Sequence, residues 1–237
     1  MKKYFERIYN KGIDSFYDEL KESLKSNKKS FIVTANPETF MYGEKDDVIN
    51  NIILDKKTIV VPDGIGIVKA SNMLGYNIKE RIPGIDIATK LLEYGNELNK
   101  TICFFGAKKE VVEKLVEKVK KDYPNLKIIG YTDGYVTNKD QIMDNISKLS
   151  PDIVLVALGI PYQEKLIYNN LDKFKKGIFV GVGGSFDVLS GCKKRAPKIF
   201  IKTNTEWLYR IIKEPKRIKR FYNSNVKFLF KIKKIDK

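Results

Sequence analysis

Asp152-Ile153-Val154-Leu155-Val156-Ala157-Leu158-Gly159-Ile160-Pro161-Tyr162-Gln163-Glu164-Lys165 reads as an apolar strand, a Gly-Pro turn and the start of a helix. An apolar run without polar alternation is the pattern of a strand buried on both faces, as in a parallel sheet covered by helices. Working outward, similar short runs fall at 31–35, 58–61, 101–105, 127–129 and 178–182. Between them lie helical patterns. Residues 110–121 carry Val111, Leu115 and Val119; 139–149 carry Ile142, Ile146 and Leu149; 83–98 carry Ile85, Ile87, Leu91 and Leu92. Strands alternating with amphipathic helices predict an α/β fold around a parallel sheet.

The loops after these strands are polar or rich in glycine: Asn36-Pro37, Pro62-Asp63-Gly64, Gly106-Ala107, Asp133-Gly134-Tyr135, Gly159-Ile160-Pro161 and Gly183-Gly184-Ser185. Ligands of open parallel sheets bind outside the carboxyl ends of the strands, so these loops predict a pocket for a nucleotide or another phosphate. Any one of the glycines alone would serve as a turn residue. No G-x-x-x-x-G-K-[ST] is present, and Gly64-Ile65-Gly66 and Gly181-Val182-Gly183 both lack the third glycine of G-x-G-x-x-G. An ATPase and an NAD dehydrogenase are disfavoured. Asp46-Asp47 is adjacent, not spaced as Asp-x-Asp, and reads as a surface pair.

Composition narrows the chemistry. With no histidine and two cysteines among 237 residues, a structural zinc site is close to excluded, and acid–base work falls to Asp, Glu, Lys or Tyr. Cys103 and Cys192 read as free thiols. No apolar run approaches the roughly 20 residues that span a bilayer, and the first ten residues lack the core of a secretory signal. The chain reads as cytoplasmic. Its net charge of +16 is asymmetric: after residue 192 there are 16 Lys and Arg against three acids, which leaves only +3 on the rest. Such a block predicts an anionic partner. Trp207, Leu208, Ile211 and Ile212 form an apolar face, and Phe221, Tyr222, Phe228, Leu229 and Phe230 continue an aromatic–basic mixture suited to an anionic bilayer interface.

Five segments recur in an order that resembles one family. They are Thr34-Ala35-Asn36-Pro37-Glu38, Pro62 to Gly66, Ala157 to Lys165, Gly181 to Asp187, and Glu206-Trp207-Leu208-Tyr209-Arg210 with Glu214-Pro215-Lys216-Arg217. Together they resemble the WecG/TagA/CpsF family of bacterial glycosyltransferases over about residues 30 to 220. The resemblance implies a Rossmann-like α/β catalytic domain over 1–192 and a basic, helical, membrane-docking appendage over 193–237. It implies an inverting transfer of N-acetylmannosamine from its UDP derivative to N-acetylglucosaminyl diphospho-undecaprenol, or of another UDP-sugar in capsule or exopolysaccharide synthesis. It places the protein at the inner face of the cell membrane, needs no metal or other cofactor, and admits a homo-oligomer.

The resemblance also assigns roles, each beside a plainer reading. Asp63 matches the family's catalytic base; alone it also reads as a turn residue before Gly64. Arg81 matches an active-site arginine, against a surface salt bridge. Gln163 matches a pocket glutamine that bonds sugar hydroxyls, against an ordinary first-turn residue. Thr34 and Asn36 match a polar pair on the substrate side, and Asn36 also suits the cap of a helix beginning at Pro37. Gly183, Gly184 and Ser185, at a strand-to-helix turn, are candidates for the diphosphate, Gly159 is a substrate-binding candidate, and Asp187 is one for the nucleoside or for ordering its loop. Gly106, Ala107, Gly134 and Tyr135 are candidates for the uracil side. Arg210, Arg217 and Arg220 match basic positions that stabilise the departing diphosphate. The contrasting class is a basic nucleic-acid-binding protein. No motif of that class is present and the basicity lies off the α/β body, so no nucleic-acid partner is expected.

Overall fold

A computed structural model describes residues 1–235; Asp236 and Lys237, the end of the predicted appendage, lie outside the described residues. Six strands form one sheet: β1 (Lys29–Ala35), β2 (Thr58–Pro62), β3 (Thr101–Gly106), β4 (Lys127–Thr132), β5 (Ile153–Ala157) and β6 (Gly177–Gly181). Their order is β2-β1-β6-β5-β3-β4, and every pair is parallel. All six predicted strands are present. The β4 run extends past its predicted end to Thr132 because the edge position leaves it half-exposed, so polar residues continue it.

Among the described residues, fourteen α-helices surround the sheet. Before β2 come α1 (Lys2–Phe5), α2 (Ile13–Lys25), α3 (Pro37–Gly43) and α4 (Asp47–Leu54). Between β2 and β5 come α5 (Ile65–Met73), α6 (Gly84–Glu97), α7 (Lys109–Asp122) and α8 (Lys139–Leu149). Then follow α9 (Tyr162–Asn170), α10 (Ser185–Leu189), α11 (Lys198–Lys202), α12 (Glu206–Lys213), α13 (Arg217–Phe221) and α14 (Lys227–Ile235). A π-helical turn at Tyr222–Val226 joins the last two.

Two apolar cores result, one on each face. Alternate residues of β1 and β5 divide between them: Phe31, Val33, Val154 and Val156 pack with α3, α4, α5, α8 and α9, whereas Ile32, Ile153 and Leu155 pack with α2, α6, α7 and α10. This covering on both faces is why the strands read as continuous apolar runs. It also creates the crevice. The adjacent strands β1 and β6 continue into helices on opposite faces, α3 on one and α10 on the other, which is a topological switch point.

The C-terminal segment packs back on this body. Phe228 and Ile232, one helical turn apart, are fully buried in the first core beside Phe5 and Phe40, while Phe230 between them is 62% exposed. The aromatic–basic reading of the tail is therefore corrected at Phe228: the helical period turns it inward and leaves Phe230 outside. Asp46 also has a structural task. It caps α4 through the amides of Val48 and Ile49 and pairs with Lys165. Among the described residues no helix is long and apolar enough to cross a membrane.

Candidate active site

A cleft of about 800 Å³ opens at the carboxyl ends of β2, β1, β6 and β5, roofed by α12 and α13. Asp63, Arg81, Gln163, Thr34, Asn36, Gly159, Gly183, Gly184, Ser185, Asp187, Arg210, Arg217 and Arg220 all line it. Gly106, Ala107, Gly134 and Tyr135 do not. They belong to the β3–β4 side, where they hold one another: Gly134 N–H donates to the Ala107 carbonyl (2.8 Å) and Ala107 N–H to the Ala157 carbonyl (2.9 Å). Gly106 is required there for packing, since a Cβ would lie 2.4 Å from the Ala157 carbonyl oxygen at a φ of +129°.

Asp63 directly follows β2. Its own N–H donates to the Ala35 carbonyl, and its Oδ1 accepts the Gly84 N–H at 3.2 Å. Gly84 is the first residue of the 14-residue α6, so the positive end of that helix faces the carboxylate. Glycine suits this place because a Cβ would press on the Thr34 side chain at 3.2 Å. The remaining exposure of Asp63 is to the cleft. Burial pushes its carboxyl up to about 6; Arg210, the Gly84 amide and Arg81 oppose that rise, and Glu206 adds to it. A carboxylate with that proton affinity suits a general base near neutral pH.

Pro37 explains the Gly64-x-Gly66 spacing. Its ring lies 3.2 Å from where a Cβ of Gly64 would be and 2.9 Å from that of Gly66, so the two glycines let the starts of α3 and α5 meet. Asn36 caps α3, accepting from the Glu38 and Thr39 amides, with Thr39 completing a reciprocal box. Thr34 donates its hydroxyl to the Gly181 carbonyl at 3.2 Å and stitches β1 to β6.

Gln163 forms part of the cleft wall and is itself almost wholly buried. Its Oε1 accepts the amides of Gly159 (3.1 Å) and Gly183 (3.0 Å), and its Nε2 donates to Glu164 Oε1 at 2.8 Å. These bonds tie the loop after β5 to the loop after β6. The side chain and both glycine amides are thus engaged within the protein. Gly181 leaves room for the amide: a Cβ there would meet Gln163 Nε2 at 2.6 Å. Glu164 itself is buried, one carboxylate oxygen has no hydrogen-bond partner among the described residues, and burial pushes the group up to about 7. Asp187 lines the cleft and sits 3.7 Å from Lys193.

The arginines are ion-paired. Arg81 donates to Glu206 Oε2 at 3.5 Å and Arg210 to Glu206 Oε1 at 2.9 Å. Arg217 pairs with Glu214 at 2.7 Å, and Arg220 grips Glu38 with both Nε and Nη2 at 2.8–3.0 Å. Glu38, Glu206 and Glu214 are thus site residues that sequence reasoning did not single out. The spacing of four between Glu206 and Arg210 signals a helical pair. Nothing local signals that Glu38 meets Arg220, 182 positions away. Trp207 stacks on Phe221 at 4.4 Å, and both line the cleft.

A doubly wound parallel sheet whose switch-point cleft gathers Asp63, four guanidiniums and the glutamates that hold them has the form of an α/β enzyme with its site outside the strand ends. The model of the glycosyl transferase WecG/TagA/CpsF family matches residues 6–236, and the chain belongs to that family. It is a glycosyltransferase. Relatives in Bacillus spizizenii and Bacillus subtilis are each 41% identical to it, over 88% and 89% of the chain and 81% and 82% of their own lengths. One from Staphylococcus aureus strain MW2 is 36% identical over 88% of the chain and 82% of its own length. All three are named N-acetylglucosaminyldiphosphoundecaprenol N-acetyl-beta-D-mannosaminyltransferases.

Proposed function

We propose that this protein transfers N-acetylmannosamine, with inversion, from UDP-N-acetylmannosamine to N-acetylglucosaminyl diphospho-undecaprenol at the cytoplasmic face of the membrane, in wall teichoic acid linkage. The observation that carries the reading is the meeting of Asp63 with Arg81 and Arg210 in one cleft of a chain so similar to the named transferases.

Asp63 takes the proton from the attacking acceptor hydroxyl as that oxygen bonds to the sugar's anomeric carbon. The bond from that carbon to the diphosphate breaks on the opposite face, and UDP leaves with the electron pair. Arg81, Arg210, Arg217 and Arg220 meet the developing diphosphate charge, exchanging their carboxylate partners for it. The reading includes no metal cofactor. Lys202, Lys213, Lys219, Leu208 and Ile212 are all exposed, and this mixed face of the C-terminal segment rests on the anionic membrane that holds the acceptor.

A donor panel tests the assignment. Purified protein with the lipid-linked acceptor is expected to release UDP fastest from UDP-N-acetylmannosamine, equally in excess EDTA and with added Mg²⁺. Faster release from UDP-N-acetylmannosaminuronate or a UDP-hexose would move the protein to capsule or exopolysaccharide synthesis.

A further inference from the structure

The C-terminal segment places a buried acid in the cleft. Glu206 is the first residue of α12 and is 5% exposed, unusual for a glutamate among basic neighbours. Its two oxygens face different parts of the chain. Oε2 receives both terminal nitrogens of Arg81 from the loop before α6, and Oε1 receives Arg210 from its own helix. The same two guanidiniums are the cations that act on Asp63. A buried acid this close to a catalytic carboxylate opposes its ionisation, so it is costly unless it organises something.

We propose that Glu206 is a positioning residue of the transferase site: it clamps Arg81 and Arg210 together beside Asp63 and offsets their charge, so that the two cations hold the donor without stripping the base of its affinity for a proton. The proposal rests on the functional reading above. The groups facing Asp63 are the Gly84 amide at the start of α6, Arg81 before that helix, and Arg210 and Glu206 from α12. Arg195, itself paired with Asp86 at 2.6 Å, also acts on Glu206. Two guanidiniums left uncompensated would keep Asp63 ionised to lower pH and make it a poorer base. With Glu206 in place, their full attraction is reserved for the diphosphate, whose arrival competes for both.

The test reads Asp63 itself. In full-length protein carrying aspartate labelled with ¹³C at the side-chain carboxyl, the Asp63 resonance is assigned by its loss in Asp63→Asn and titrated with pH. In Glu206→Gln its midpoint is expected to fall by about one pH unit, because a like charge is removed and two cations are freed. Glu206→Asp, which keeps the charge, is expected to restore it. Where turnover is measured, the acidic limb of the rate profile should move by the same amount. A midpoint that stays in place or rises in Glu206→Gln overturns the proposal, and a lowered melting temperature with an unmoved midpoint would make Glu206 merely structural. Glu206→Ala, read the same way, stands in if the glutamine variant does not fold. A wild-type protein that turns over none of the donors would remove the functional reading alone, since the titration needs no substrate.

Discussion

At the scale of single residues, Asp63 is balanced between burial, which holds its proton on, and two arginines and a helix start, which draw it off. As a base it works only when ionised. With its carboxyl at about 6, kcat/KM is expected to rise with pH, reach half its plateau near pH 6 and fall about tenfold per unit below that. Asp63→Asn is expected to lower kcat by about 10²- to 10⁴-fold, measured as UDP release, with the melting temperature nearly kept. Glu164 makes the opposite kind of statement. Its folded-state value is raised from 4.5 to about 7, so between those values the native state holds a proton that the unfolded chain has released. Stability therefore falls as pH rises through that window and stays low above it. Glu164→Gln keeps an acceptor for Gln163 and removes the penalty. It is expected to be more stable than the parent at pH 8 in chemical denaturation, by roughly 3 kcal/mol at most, and to match it closely at pH 4.5. The place of Asp63 at the cleft was legible because it directly follows the β2 run, while its reading as a base came from the family resemblance. The inward commitment of Gln163 was not legible, because its partners Gly159 and Gly183 come from two loops that only the sheet brings together.

At the scale of elements, the C-terminal segment combines two roles within a few residues. Phe228 and Ile232 anchor α14 in the core beside Phe5 and Phe40, and Arg220 joins α13 to Glu38 at the start of α3. Phe228→Ala is expected to cost about 3–5 kcal/mol in chemical denaturation and to open 227–234 to trypsin, whereas exposed Phe230→Ala should stay within about 0.5 kcal/mol of the parent. Equal effects of the two would contradict the packing. The sequence could not separate these phenylalanines. Both lie in a stretch alternating apolar and basic residues, and the facing surface that decides between them comes from α1 and α3, near the other end of the chain.

At the scale of the whole molecule, charge is divided between a site whose arginines are ion-paired and a surface whose lysines are exposed. The cleft's four arginines are held by three glutamates, Glu206 serving both Arg81 and Arg210, so most of their charge is met within the site. The exposed lysines of the same segment remain, beside Leu208, Ile212 and Ile218. Co-sedimentation with vesicles containing anionic phospholipid is expected and should fall steeply as salt is raised from about 0.05 to 0.5 M, because screening shortens the reach of exposed charge. Changing exposed Lys202, Lys213 and Lys219 to Glu should weaken it at least tenfold, at about 1 kcal/mol per charge removed. Neutral vesicles bound equally well would show that apolar contact alone docks the protein.

The sequence by itself determined the α/β architecture, all six strands and the loops that border the cleft. Strands buried on both faces leave an unbroken apolar signature, and the glycines and Asp63 sit at fixed offsets from them. It also located the excess charge, since composition needs no coordinates. Only the tertiary structure decided which of those loops share a site. The order β2-β1-β6-β5-β3-β4 brings the ends of β2, β1, β6 and β5 to one crevice and carries Gly106, Ala107, Gly134 and Tyr135 to the far side. It decided equally that Glu38, Glu206 and Glu214 hold the arginines. Strand order and long-range ion pairs arise from how distant segments pack, and a pattern read along the chain carries no record of that distance.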